Sequence, residues 1–326
     1  MVARALRLRP SGSGRLRRLG ILGLVALATL ALASAGIAAW RSPQVRLARS
    51  WKQGETFFAA ERYREAVIAY RNVLQVRPED ARAHYRLGVS YLRLGDTPRA
   101  HASLRKSLEL NPEFLDARLA LAELYLAAGE PARAAEEART VLSGRPKDAK
   151  ANLVLSQAVG TLGDPGHALE LAEAALRLDP KLGRAYVWKA TLLVARKKLD
   201  LAERTLRDGV QRAPGAPEPR VSLAALLAGT GRAGEAEQLL KEAAEALPRR
   251  PEPLVALGDL YASQRKLLEA MDHYRRAWDL APHANVPGLK LGELLLAQGR
   301  WEEAAETARK VLLANANDPL GHYLLS

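Results

Sequence analysis

With 48% hydrophobic and 26% charged side chains, this chain of 326 residues has enough apolar matter to fold, and 5% aromatic residues are too few for a large β-sandwich or barrel. The absence of cysteine excludes disulfides, thiolate metal sites, cysteine nucleophiles and a lipidated N-terminal cysteine. The net charge of +13 does not mark a nucleic-acid binder. Ten basic residues (Arg4, Arg7, Arg9, Arg15, Arg17, Arg18, Arg41, Arg46, Arg49 and Lys52) lie in an N-terminal stretch without a single acid, and residues 53–326 hold only +3.

Residues 1–18 form a basic arm. Residues 19–40 are an uncharged run of 22, bounded by Arg18 and Arg41 and closed by Trp40. As a helix such a run reaches about 33 Å, enough to cross a bilayer, which predicts a transmembrane signal anchor. The heavier basic flank lies before the run, so the arm is expected in the cytoplasm and the rest of the chain outside it, as a single-pass protein of the inner membrane. The competing reading is a signal peptide cleaved after Ala33-Ser34-Ala35, which would release the protein to the periplasm. Residues 41–46 read as a linker.

From residue 47 to 318 the sequence repeats every 34 residues, eight times. One column is Pro78, Pro112, Pro146, Pro180, Pro214, Pro248 and Pro282; another is Ala66, Ala100, Ala134, Ala168, Ala202, Ala236, Ala270 and Ala304. Each repeat patterns as a helical hairpin. In the second, Leu87, Gly88 and Tyr91 share one face of a first helix, and Ala100, Leu104 and Leu108 form a stripe on a second. Gly95 separates the two, where a left-handed residue ends a helix, and Pro112 closes the repeat. A small column (Gly54, Gly88, Ala122, Ser156, Ala190, Ala224, Gly258 and Gly292) lets the paired helices approach. The pattern departs from itself in places. Glu61, Lys197 and Arg265 replace the turn glycine, Gly209 replaces a small packing residue, and Ala316 stands where the eighth proline belongs. The turn Arg196-Lys197-Lys198 would be the softest point, but such departures are expected as the ordinary drift of a repeat array. Residues 319–326 open a ninth repeat that is expected to be incomplete, continued by more chain or completed by a partner. The face around Ala304, Ala308 and Leu312 should then be only partly covered.

The second repeat reads His84-x2-Leu87-Gly88-x2-Tyr91, then Ala100-x3-Leu104, then Pro112. This wording resembles the tetratricopeptide repeat family. The resemblance implies an all-α fold, an α-solenoid of helix-turn-helix repeats wound into a right-handed superhelix behind the N-terminal transmembrane helix. It also implies that the first helices line a concave, peptide-binding groove. Trp51, Phe58, Tyr85, Leu92, Leu119, Glu123, Leu126, Leu153, Val187 and Val194 are the candidate groove residues, with Val221, Val255, Leu289 and Leu296 continuing the series. Glu55, Asp259 and Glu293 add acids to a mainly apolar surface, which suits a protein or peptide with apolar anchor residues. It does not suit the subfamily that clamps chaperone C-termini with lysine, arginine and asparagine.

Nothing points to catalysis, a cofactor, a metal or a small-molecule substrate. His84 and His322 share a column, seven periods apart, and His101, His167, His273 and His283 fall in four others; none belongs to an H-E-x-x-H pair. Phosphate-loop and nucleophile-elbow motifs are absent, and carboxylates such as Glu136-Glu137 and Glu302-Glu303 suit solvated helix faces. The expected function is a non-catalytic interaction scaffold anchored in the membrane. Its wording is similar to repeat-rich proteins of bacterial polysaccharide export, which implies envelope assembly or export. The alternative is the substrate-recruiting arm of a larger enzyme, for example a glycosyltransferase.

Overall fold

The computed structural model describes residues 42–282, 284–314 and 318–325. It divides into two compact units, one ending at Asn111 and the other beginning at Pro112. Every regular element among the described residues is a helix. Unit 1 holds α1 (Pro43–Ala59), α2 (Tyr63–Val76), α3 (Ala81–Arg93) and α4 (Thr97–Leu110). Unit 2 holds α5 (Leu115–Ala127), α6 (Pro131–Gly144), α7 (Ala149–Thr161), α8 (Pro165–Leu178), α9 (Gly183–Ala195), α10 (Leu199–Arg212), α11 (Glu218–Gly229), α12 (Ala233–Ala246), α13 (Glu252–Ser263), α14 (Leu267–Leu280), α15 (Asn285–Ala297), α16 (Trp301–Ala314) and α17 (Pro319–Leu325). Each odd-numbered helix up to α15 pairs with the next, one pair per 34-residue repeat, and the pairs stack on their neighbours within each unit as a helical solenoid.

The ends of the helices follow from local chemistry. The carboxylates of Asp80, Asp96, Asp148 and Asp164 accept backbone N–H groups of the following first turn at 2.9–3.1 Å. Ser42 does the same for α1, with Pro43 in the first helical position. The first helix therefore starts inside the stretch read as a linker. Between the helices of a pair, Gly95, Gly129, Gly163, Gly231 and Gly299 take φ between 70° and 97°. Glu61, Lys197 and Arg265 take the same left-handed conformation, at φ 57°, 58° and 60°. The hydrogen bonds explain why. In the second repeat Asp96 N–H reaches Tyr91 C=O, and in the fifth Lys198 N–H reaches Leu193 C=O, both at 2.9 Å. The helix-ending motif is kept where glycine is lost, so the backbone strain falls on the substituted residue.

The alanine column is the core of each hairpin: all eight alanines from Ala66 to Ala304 are wholly buried. The small column works by volume. A Cβ on Gly54 would lie 2.6 Å from the Tyr70 ring, and one on Gly88 would lie 2.7 Å from Leu104. The expected partial cover at the eighth repeat is corrected for Ala304 and Ala308, which are fully buried, while Leu312 is half-buried. Helix α17 packs as a first helix, with Leu324 against Gly292 and Gly321 against Leu312. Asp318 caps α17 and accepts a bond from Asn285 at 2.8 Å, which fixes the short helix to α15. A capped, docked helix of this kind does not need the length that an isolated one would.

No helix among the described residues is long and apolar enough to cross a membrane. The arm at 1–18, the predicted span at 19–40, His283 and Ala316 lie outside the described residues.

Candidate peptide-binding face

In unit 1 the first helices α1 and α3 bring together three of the candidate residues. Trp51, Phe58 and Tyr85 are half-buried, as is Leu92. Guanidinium groups lie over their rings: Arg82 is 5.1 Å from the Trp51 centroid, and Arg86 is 5.1 Å from Phe58 and 6.0 Å from Tyr85. Trp51 also meets Tyr70 edge-on at 5.6 Å. Beneath this surface Glu55 accepts the Tyr70 hydroxyl at 2.9 Å and Arg86 Nη2 at 2.5 Å. Burial, followed by the bond to Glu55, pushes the Tyr70 hydroxyl well above its ordinary value, so it stays a neutral donor. The face is thus aromatic and cationic, rather than apolar with a free acid.

Unit 2 repeats the tyrosine–carboxylate–cation link, with Val255, Ala262 and Leu289 where the first unit has Trp51, Phe58 and Tyr85. Tyr274 donates to Asp259 at 2.7 Å, and Lys290 Nζ lies 2.8 Å from that carboxylate. Burial and the Asp259 acceptor raise the Tyr274 hydroxyl too. The remaining candidates separate. Leu119 and Leu126 are half-buried on α5, and Glu123 between them lies 3.8 Å from Arg184 on α9, a pair that spans the whole fourth repeat. Leu153 is buried with Ala175 and Ala185 and takes no part in a surface. Val187 packs in part on the core, while Val194 is exposed. Trp188 of α9 packs onto the fourth repeat: its Nε1 donates to Ser156 Oγ at 2.8 Å and its ring covers Gly160.

Models of the tetratricopeptide repeat match residues 52–113 and, for a second model, residues 91–158, 161–230 and 261–326. The chain belongs to the tetratricopeptide repeat family. Repeats of this family generally bind proteins or peptides and generally act as non-catalytic scaffolds. Among solved structures, the yeast Tom70 crystal structure is similar over 79% of this chain and 56% of that one, with 19% identity and a TM-score of 0.62. Cut9 with Hcn1, an APC/C hetero-tetramer, matches over 85% of this chain and 54% of that one, with 14% identity and a TM-score of 0.51. The chain spans about half the length of these two structures, and at these identities the likeness concerns the fold alone. No curated protein matches the sequence significantly.

The tetratricopeptide reading named the aromatic residues and missed the cations over them. Arg82 follows Trp51 by 31 residues, as Arg86 follows Glu55 and Lys290 follows Asp259. That spacing, one repeat less a helical turn, was the available signal. Among the described residues no three His, Asp or Glu side chains are grouped to hold a metal ion.

Proposed function

We propose that this chain is a membrane-tethered scaffold that holds a partner protein segment on the inner faces of its tetratricopeptide repeats and serves envelope assembly or export. The observation that carries the interaction is the half-buried ring surface of Trp51, Phe58 and Tyr85 with Arg82 and Arg86 stacked upon it. Rings and guanidinium groups of this kind bury well against apolar anchors, and aromatic residues and arginine carry most of the energy at protein interfaces. The tether is the uncharged run at 19–40, with the repeats on the extracytoplasmic side.

Photocrosslinking tests the face. A photoreactive phenylalanine analogue in place of Tyr85 is expected to yield partner adducts in cells. The same analogue in place of Ile68, exposed on α2, is expected to yield none. Equal adducts at both positions, or none at the first, reject the inner face. Alkaline phosphatase fused after Ser326 tests the topology: activity is expected, and a fusion active only as a cytoplasmic reporter reverses it. A mature N-terminus at Gly36 replaces the anchor by a cleaved signal peptide.

A further inference from the structure

The turns that join the two helices of each repeat line one edge of unit 2. Three contacts set the turns of repeats five to eight in succession. Arg232 in the sixth turn reaches Glu203 on α10 at 2.8 Å, and Tyr261 before the seventh turn donates to Glu237 on α12 at 2.9 Å. Arg275 on α14 lies 3.9 Å from Glu303, just past the eighth turn. The tips of these turns, residues 196–198, 230–232, 264–266 and 298–300, carry seven basic side chains and no acid. The tips of the third and fourth repeats carry Glu130 and Asp164 and no cation. Residues 112–326 hold 29 basic and 29 acidic side chains, so the basic edge is a matter of placement and not of composition.

Two of these cations are engaged: Arg232 pairs with Glu203 and Glu235, and Arg300 with Glu303. Lys197, Lys198 and Arg265 are exposed and make no ion pair among the described residues, and Lys266 lies 5.6 Å from the Tyr261 ring centroid. Asp200, Glu235, Glu269, Glu302 and Glu303 follow in the first turns of the second helices. Glu235 and Glu303 are taken up by Arg232 and Arg300, and five cations of the tips still outnumber the remaining three acids. Lys197 and Arg265 occupy the left-handed turn position where five other repeats have glycine, so a long cation stands at the tip in spite of backbone strain. Beside the cations four large apolar side chains face water: Leu199 is 43% exposed, Leu201 46%, Leu268 71% and Trp301 66%.

We propose that this edge docks on a bilayer surface with anionic headgroups. The cations meet lipid phosphates, and the leucines and Trp301 enter the interfacial layer below them. A nucleic acid or a purely acidic polymer would satisfy the cations but leave the four apolar side chains without a partner; a lipid surface satisfies both. The surface is distinct from the inner face and does not depend on the run at 19–40.

Because the chain has no cysteine, a single introduced one can be labelled uniquely. Leu268→Cys in the full chain, carrying an environment-sensitive fluorophore, reports on the edge. Gly215→Cys reports on the opposite edge, from an exposed position with open space around it. Vesicles of phosphatidylcholine with phosphatidylglycerol are expected to blue-shift the first label and not the second, and pure phosphatidylcholine to shift neither. Combining Leu268→Cys with Lys197→Asn, Lys198→Gln, Arg265→Asn and Lys266→Gln should raise the anionic lipid needed about tenfold or more. Asparagine tolerates the left-handed turn, and unchanged circular dichroism verifies the fold. The idea is overturned by no shift at 268, by equal shifts at both labels, or by equal shifts with and without phosphatidylglycerol. It is also overturned by a shift that survives the four substitutions, as insertion of residues 19–40 alone would give, or by DNA or polyglutamate matching the anionic vesicles.

Discussion

The first and seventh repeats fill the space between their paired helices with a tyrosine laid over a glycine, Tyr70 on Gly54 and Tyr274 on Gly258. In the third and fourth repeats Ala138 and Ala172 stand at the tyrosine position, and Ala122 and Ser156 at the glycine position. The fourth draws Trp188 in from the next repeat instead, hydrogen-bonded to Ser156. The gap between paired helices is filled by two distributions of volume, and each ties a repeat to its successor in its own way. The tyrosine form presents a hydroxyl to Glu55 or Asp259, whose carboxylate takes a cation from the next first helix. The tryptophan form uses a ring and one neutral hydrogen bond. Volume decides that the hairpin closes; the polar groups decide how it meets its neighbour.

The largest test of this contrast removes the ring. Tyr274→Ala should cost about 3–5 kcal/mol of stability, because a buried aromatic leaves a cavity beside Gly258. Importing the arrangement of the sixth repeat, where Ala224 faces Leu240, should recover much of that loss. Gly258→Ala with Tyr274→Leu is therefore expected to be more stable than Tyr274→Ala in urea unfolding, whereas Gly258→Ala alone clashes with the ring. A double variant no better than Tyr274→Ala would show that complementary volume is not the governing feature.

A smaller test concerns pH. Both tyrosine hydroxyls titrate above their ordinary value when folded, chiefly because burial penalises the phenolate. A raised value means that the unfolded chain loses these protons first. Their contribution is intact below about pH 10, the ordinary tyrosine value, and is lost as pH rises above it. Tyr70→Phe with Tyr274→Phe should flatten that alkaline limb while costing about 1 kcal/mol per bond near neutrality. An alkaline limb as steep in the double variant as in the parent would assign it to other groups.

The smallest effect is at the turns. Lys197→Gly and Arg265→Gly should each stabilise by about 0.5–1 kcal/mol by removing left-handed strain from a side-chain-bearing residue. Gly163→Lys, in a turn of the same form, should lose a similar amount. Thermal unfolding of the three variants measures the differences, and destabilisation by either glycine would mean that the cation makes a compensating contact.

The hairpins were legible in the sequence because the same physics recurs at a fixed interval: Ala134 must be small and Gly129 must turn. The exceptions were legible as well, since Glu61, Lys197 and Arg265 stand in the glycine register and share its conformation. The site was harder to read. A column position tells which helix face a residue occupies, but not whether a neighbour covers it. Leu153 and Leu119 share a column, yet one is buried and the other half-buried: Trp188 packs on the cluster that holds Leu153, where the register of Leu119 has the smaller Val154. Arg82 and Arg86 were missed because each acts on a ring in the preceding repeat, a relation that comparing repeats at equal positions does not display.

The acid–cation link described above also limits how such a chain can be shortened or lengthened. Each hairpin is self-contained, and removing residues 285–318 would leave the 34-residue register unbroken. Asp259, however, would then face Leu324 in place of Lys290, since those two positions are one period apart. The tyrosine would keep its acceptor, but the carboxylate would lose its countercharge. Whole repeats are therefore not interchangeable parts: the seams carry pairings that a duplication or excision would mismatch, even while every helix still folds.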